Sequence, residues 1–146
     1  MDLILWRHAD AEEGLDDASR KLTLKGRKQA AKMAQWLRDR LPRHYQVMVS
    51  PAVRTRETAA ALAEELIVSK ELGLSASPES ILRAAGWPSA ARPVVIVGHQ
   101  PTLGMTAGRL LCGGDCAWSL RKGAFVWIVR TGEHNTLRAA LVPEML

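Results

Sequence analysis

A chain of 146 residues is one domain long and can bury roughly two-thirds of the surface its unfolded form exposes, so a single domain over residues 1–146 is expected. Its 20 lysines and arginines against 15 carboxylate residues give a net charge of +5 with histidines neutral, which favours an anionic partner. These cations are scattered, with no zinc-finger, RRM or stacking pattern, and no apolar run nears the ~18 residues of a membrane span or forms a signal peptide, which argues against nucleic acid, membrane and export.

The chain opens on Leu3-Ile4-Leu5-Trp6, an apolar run that breaks into Arg7 and His8. Strand formers followed at once by a cation and a titratable ring describe a strand that presents chemistry at its C-terminal end. Residues 9–21 are polar and read as a surface loop close to that end. Thr23 then caps a helix in which Ala30, Met33, Ala34, Leu37 and Leu41 recur at steps of three and four, with Lys25, Lys28, Lys32 and Arg38 outward; Pro42 is expected to end it. A helix between two short apolar strands is the mark of a parallel crossover.

The second strand, Gln46–Val49, runs into Ser50-Pro51, read as an N-cap followed by a proline at the first helical position. That places Arg54 in the first turn, leaning back over the strand end, and the helix is expected to continue through 59–66. Residues 67–77 give no clear element. Ser77 and Pro78 repeat the cap-and-proline start, with Ile81, Leu82 and Ala85 on one face and Gly86-Trp87-Pro88 as a stop. The β-branched run at 94–97 predicts a central parallel strand buried on both faces, ending in Gly98-His99. Gln100-Pro101 starts a further helix to about Leu111, and 124–130 with 136–141 read as a closing antiparallel hairpin. The expected fold is α/β: a three-layer α/β/α sandwich with a mostly parallel sheet and an antiparallel edge.

Ligands of open parallel sheets bind beyond the carboxyl ends of the strands, and three such ends here carry Arg7, His8, Arg54 and His99. Two arginines and two histidines without a carboxylate suit a dianion, and phosphate fits the fork of an arginine best. No G-x-x-x-x-G-K-[ST] loop is present, and Trp118 and Lys122, not arginine, stand six positions after Cys112 and Cys116, so neither a P-loop nor a cysteine-dependent phosphatase is encoded. The two cysteines lack further ligands at metal spacing and read as reduced thiols; Asp10, Asp16 and Asp17 could suggest a metal-assisted hydrolase, but the second and third strand ends supply no carboxylate or paired histidine ligands. A histidine is the nucleophile that is left.

Arg7-His8-Ala9, Leu22-Thr23-x-x-Gly26-x-x-Gln29-Ala30, Ser50-Pro51-x-x-Arg54-x-x-x-Thr58 and Gly98-His99 resemble, in order and spacing, the histidine phosphatase superfamily, and the short length with Asp10-Ala11 is most similar to its SixA-type phosphohistidine phosphatases. The resemblance spans residues 1–111. It implies that His8 attacks phosphorus and becomes phosphohistidine in transit, that Arg7, Arg54 and His99 hold the phosphoryl oxygens, that Arg20 adds a phosphate contact, and that no metal or cofactor takes part.

Two positions depart from the family pattern. Ala9 stands where glycine is usual. The carboxylate that protonates an alcohol leaving group in relatives is missing from Leu72-Gly73-Leu74, with Glu71 the nearest candidate acid. A phosphohistidine substrate tolerates that lack, because an imidazole of conjugate-acid pKa ~6.5 leaves more readily than an alkoxide. The expected activity is therefore hydrolysis of phosphohistidine on a protein by a cytoplasmic monomer; a small-molecule phosphomonoesterase and a non-catalytic phosphoprotein-binding module are the alternatives.

Overall fold

A computed structural model describes residues 1–146. One six-stranded sheet comprises β1 (Asp2–Arg7), β2 (Gln46–Val49), β3 (Ile67–Val68), β4 (Val94–Gly98), β5 (Phe125–Thr131) and β6 (His134–Leu141), in the order β3-β2-β4-β1-β5-β6. The four strands from β3 to β1 are parallel, and β5 and β6 close the other edge antiparallel. Helices α1 (Leu24–Arg38), α2 (Val53–Ala60), α3 (Pro78–Ala85) and α4 (Thr102–Cys112) cover the two faces.

The period of two along β1 divides the core. Ile4 and Trp6 point to one face, packing with Met33, Ala34 and Leu37 of α1 and Ala59 of α2, while Leu3 and Leu5 point to the other, with Ile81 and Ala85 of α3 and Leu103 and Ala107 of α4. A strand covered on both sides has to be apolar throughout, which is why 94–97 is an unbroken β-branched run; every residue of β4 is buried. Trp6 and Trp127 lie in the core, and each indole N–H is satisfied, by the Gly123 carbonyl at 2.9 Å and by Asp2 at 2.8 Å.

Several boundaries differ from the sequence expectation. Helix α1 stops at Arg38, short of Pro42, because the residue before a proline disfavours helical geometry and a turn over 39–41 returns Leu41 to the core. Ser50 does not cap α2 and Pro51 lies outside it: the N-cap is Ala52, which makes no side-chain cap bond, and the Ser50 hydroxyl is turned inward to Thr55 and His99. Helix α2 also ends at Ala60 rather than running through 59–66. The Ala61 and Leu62 carbonyls are taken by side chains, Arg38 Nη2 at 2.6 Å from the first and Tyr45 Oη at 3.3 Å from the second, which leaves 67–68 free to extend as the short edge strand β3. Strand β6 begins at His134, two residues before the position expected.

Candidate active site

The sheet register assembles the site. Arg7 stands opposite Gly98 and Val49 opposite Val97, so the residues just beyond, His8, Ser50 and His99, emerge from three adjacent strands. The His8 amide donates to the Gly98 carbonyl at 3.1 Å and the Ser50 amide to the Val97 carbonyl at 3.3 Å, extending the ladder one step past the strands. The His8 and His99 rings lie 5.5 Å apart between centroids. Arg54 reaches back from the first turn of α2 and brings Nη2 to 3.5 Å from His99 Nδ1. Arg7, His8, Arg54 and His99 thus converge.

The hydrogen bonds fix how each ring is presented. His8 Nδ1 lies 2.8 Å from the Ala9 carbonyl, a group that can only accept, so Nδ1 carries the proton and Nε2 keeps its lone pair. His99 Nε2 lies 2.8 Å from the Ser50 hydroxyl. Since an arginine can only donate, His99 Nδ1 is the accepting nitrogen and Nε2–H donates to Ser50. The Ser50 hydroxyl also meets Thr55 Oγ1 at 2.7 Å, so Thr55 positions the hydroxyl that holds the second imidazole.

Burial decides the charge state. Desolvation pushes His8 down to about 3; its bond to Ala9 opposes this, and Arg54, His99 and Arg7 add smaller downward effects. Burial and then Arg54 push His99 down to about 4. Both rings are neutral at pH 7, and His8 therefore offers a free nitrogen lone pair there.

Two donors in the site have nothing to bond. Arg7 spends Nη1 on the Leu120 carbonyl at 2.8 Å, and Arg54 spends Nη1 and Nη2 on Asp17, yet the buried Nε atoms of both arginines lack a partner. A buried guanidinium N–H without an acceptor costs free energy that a bound oxyanion would recover.

Ala9 is accommodated in the place where relatives have glycine. It is fully buried, its φ is negative, and its amide donates to Thr58 Oγ1 at 3.0 Å, so the backbone after His8 needs no glycine. The other residues singled out from the sequence are placed less centrally. Arg20 bonds the Glu12 carbonyl and the Asp17 carboxylate, reaching the cluster through Asp17 rather than directly. Glu71 sits on an exposed 3-10 turn, Lys70–Leu72, paired with Arg83 at 3.3 Å. Asp10 accepts from Thr23 Oγ1 at 2.7 Å and from Lys122 at 3.1 Å, a role in holding the loop. No group of three histidine, cysteine or acidic side chains is placed to hold a metal ion.

Asp17 and Ser50 are the contributors that sequence reasoning missed. Asp17 is one acid among several in a polar loop, with no spacing to single it out. Ser50 did carry a signal, its position one step beyond β2, but capping chemistry explained it first. Asp17 accepts from Arg54 Nη2 at 3.0 Å and, through its carbonyl, from Nη1 at 2.8 Å; Arg20 and Arg54 hold its carboxylate below the usual range, so it is ionised at neutral pH. It competes with an incoming oxyanion for the same guanidinium. Asp17→Asn is accordingly expected to tighten sulfate binding by a factor of about 2 to 5, the range of a half-exposed ion pair, as read by calorimetry at fixed ionic strength. Weaker binding would show instead that Asp17 holds Arg54 in place.

Residues 3–74 match the model of the histidine phosphatase superfamily (branch 1). An uncharacterized protein of Picosynechococcus sp. is 34% identical over 156 residues, covering 96% of this chain and 81% of the relative. A structure provisionally assigned as the phosphohistidine phosphatase SixA of Nakamurella multipartitia superposes with a TM-score of 0.82 at 29% identity, covering 97% of this chain and 95% of that one. The protein histidine phosphatase SixA complexed with tungstate shares the fold at a TM-score of 0.79 and 22% identity, with 99% of each chain covered. The chain belongs to the histidine phosphatase superfamily, branch 1. Within it the chain is SixA-type, and its activity is that of a phosphatase.

Proposed function

We propose that this phosphatase hydrolyses phosphohistidine on a protein, with His8 as nucleophile and no metal. His8 Nε2 forms a bond to phosphorus as the phosphorus–nitrogen bond of the substrate breaks, and the departing imidazole takes up its proton from water. Water then attacks the phosphoryl group on His8, releasing inorganic phosphate and the neutral ring. Arg7, Arg54 and His99 surround the oxygens, and the two guanidinium groups supply the positive charge that the transition state needs.

The observation that carries the choice of substrate is how the candidate carboxylates are engaged: Asp10, which lines a cavity with Arg7, is taken by Thr23 and Lys122. Asp17, which bonds Arg54, is held ionised by two guanidinium groups, and Glu71 is paired with Arg83 on the surface. All three are engaged with other side chains rather than placed to serve a leaving alkoxide, whereas an imidazole departs without an acid from the enzyme. The assignment given to the Nakamurella protein supports the same reading. A cytoplasmic setting belongs to it as well, in keeping with Cys112 and Cys116 as free thiols.

The test is phosphate release from a phosphohistidine peptide and from a simple phosphomonoester, both with EDTA present. Turnover of the peptide at a kcat/KM at least about a hundredfold above the ester is the expected result, a gap of ~2.7 kcal/mol in barrier. Preference for the ester would make the protein a small-molecule phosphomonoesterase, binding without turnover would make it a phosphoprotein-binding module, and loss of activity in EDTA would overturn metal independence.

A further inference from the structure

Two adjoining cavities open beside the site. One of about 370 Å³ is lined by Arg7, Asp10, Lys25, Arg121 and Lys122 among others, and one of about 600 Å³ by Lys25, Lys28, Lys32 and Arg121. They share Lys25, Gln29, Arg121 and Glu144, so they form one groove that starts at Arg7 and runs along α1. Its cations are Arg7, Lys25, Lys28, Lys32, Arg121 and Lys122; its carboxylates are Asp10, already paired with Lys122, and Glu144.

Sequence spacing explains the line of charge. Positions 25, 28 and 32 fall on one face of α1, opposite the buried Met33 and Leu37. Lys25, Lys28 and Arg121 form no ion pair with any carboxylate side chain, and Lys32 donates to the Leu146 main-chain oxygen at 3.3 Å. The segment carrying Arg121 and Lys122 is fastened to the end of β1: Arg7 donates to the Leu120 carbonyl at 2.8 Å, the Gly123 amide to the His8 carbonyl at 3.0 Å, and Trp6 to the Gly123 carbonyl at 2.9 Å. Arg121, which is unpaired, and Lys122, which is paired with Asp10, are thus held against the end of the strand that bears His8.

A groove with six cations against two carboxylates, leading into an oxyanion site, selects what arrives with the phosphoryl group. We propose that this groove is a docking surface for an acidic segment of the phosphoprotein substrate, lying along α1 while the phosphorylated side chain enters between Arg7 and Arg54. The proposal rests on the reading that the substrate is a protein, and it adds the chemistry of the flank: glutamates and aspartates adjacent to the phosphorylated residue.

Its test compares two phosphohistidine peptides, one flanked on each side by three glutamates and one by three serines, with wild type and the double variant Lys28→Glu/Lys32→Glu. At low salt, wild type is expected to favour the glutamate peptide by about tenfold in kcat/KM, the lower end of electrostatic steering. The double variant loses that preference while turning over the serine peptide as wild type does, and 0.5 M salt erases the difference between peptides. Equal turnover of both peptides by wild type at low salt, or equal loss of both in the variant, overturns the proposal.

Fluorescence anisotropy with the unphosphorylated glutamate peptide reads docking apart from chemistry. Wild type binding that peptide at least about fivefold tighter than the double variant supports the groove even if no phosphohistidine is hydrolysed, in which case the substrate reading alone fails. A single-stranded oligonucleotide that binds more tightly than the peptide overturns it in favour of a nucleic-acid surface.

Discussion

His8→Ala is expected to lower turnover by at least about a thousandfold, because the covalent route disappears with the ring that supplies the lone pair. The pocket that holds the oxyanion does not disappear. Arg7 and Arg54 still offer buried Nε–H groups, so sulfate affinity should stay within a few-fold of wild type. Rapid mixing with a radiolabelled phosphohistidine peptide followed by denaturation at alkaline pH, where a phosphorus–nitrogen bond survives, should trap label on wild type and none on the variant. Label retained by the variant would move the nucleophile elsewhere.

Gly26→Ala is expected to damage folding and chemistry together. A Cβ at position 26 would lie 2.0 Å from the Asp10 carbonyl oxygen, a backbone atom held by the Thr23 amide at 3.0 Å and unable to swing away as a side chain would. Either α1 or the segment behind His8 has to move. Overpacking of this kind costs about 3 kcal/mol, and a shift of ~1 Å at the nucleophile costs about a hundredfold in kcat. Thermal unfolding and steady-state kinetics read the two effects. Gly114→Ala, where a Cβ meets nothing within 4 Å, is the control and should leave both unchanged.

The constraint at Gly26 shows what is readable without coordinates. Gly26 belongs to the Leu22-Thr23-x-x-Gly26 block that marks the family, and the physical reason for it, helix against loop backbone, emerges only in three dimensions. The parallel strands, the burial of 94–97 on both faces and the convergence of Arg7, His8, Arg54 and His99 were legible because strand ends are written locally: an apolar run, then a polar break, three times. What was not legible depends on contacts between distant segments. Ser50 has the local chemistry of an N-cap, yet its hydroxyl goes to His99, forty-nine positions away in the chain. Asp17 is indistinguishable from its acidic neighbours until the loop folds over Arg54. The end of α2 was misjudged because Arg38 and Tyr45, from other elements, satisfy the carbonyls that a longer helix would have used.

The fastening of the 120–123 segment to β1 bears on how this enzyme could be retargeted. Grip and chemistry share one mount there, so exchanging Arg121 or Lys122 disturbs a part bonded to the nucleophile's own strand. Lys25, Lys28 and Lys32 stand on the outer side of α1, whose inner side alone packs the core. If the groove docks the substrate as proposed, partner choice can be rewritten on three exposed helix positions, like changing the teeth of a key while its shaft stays in place.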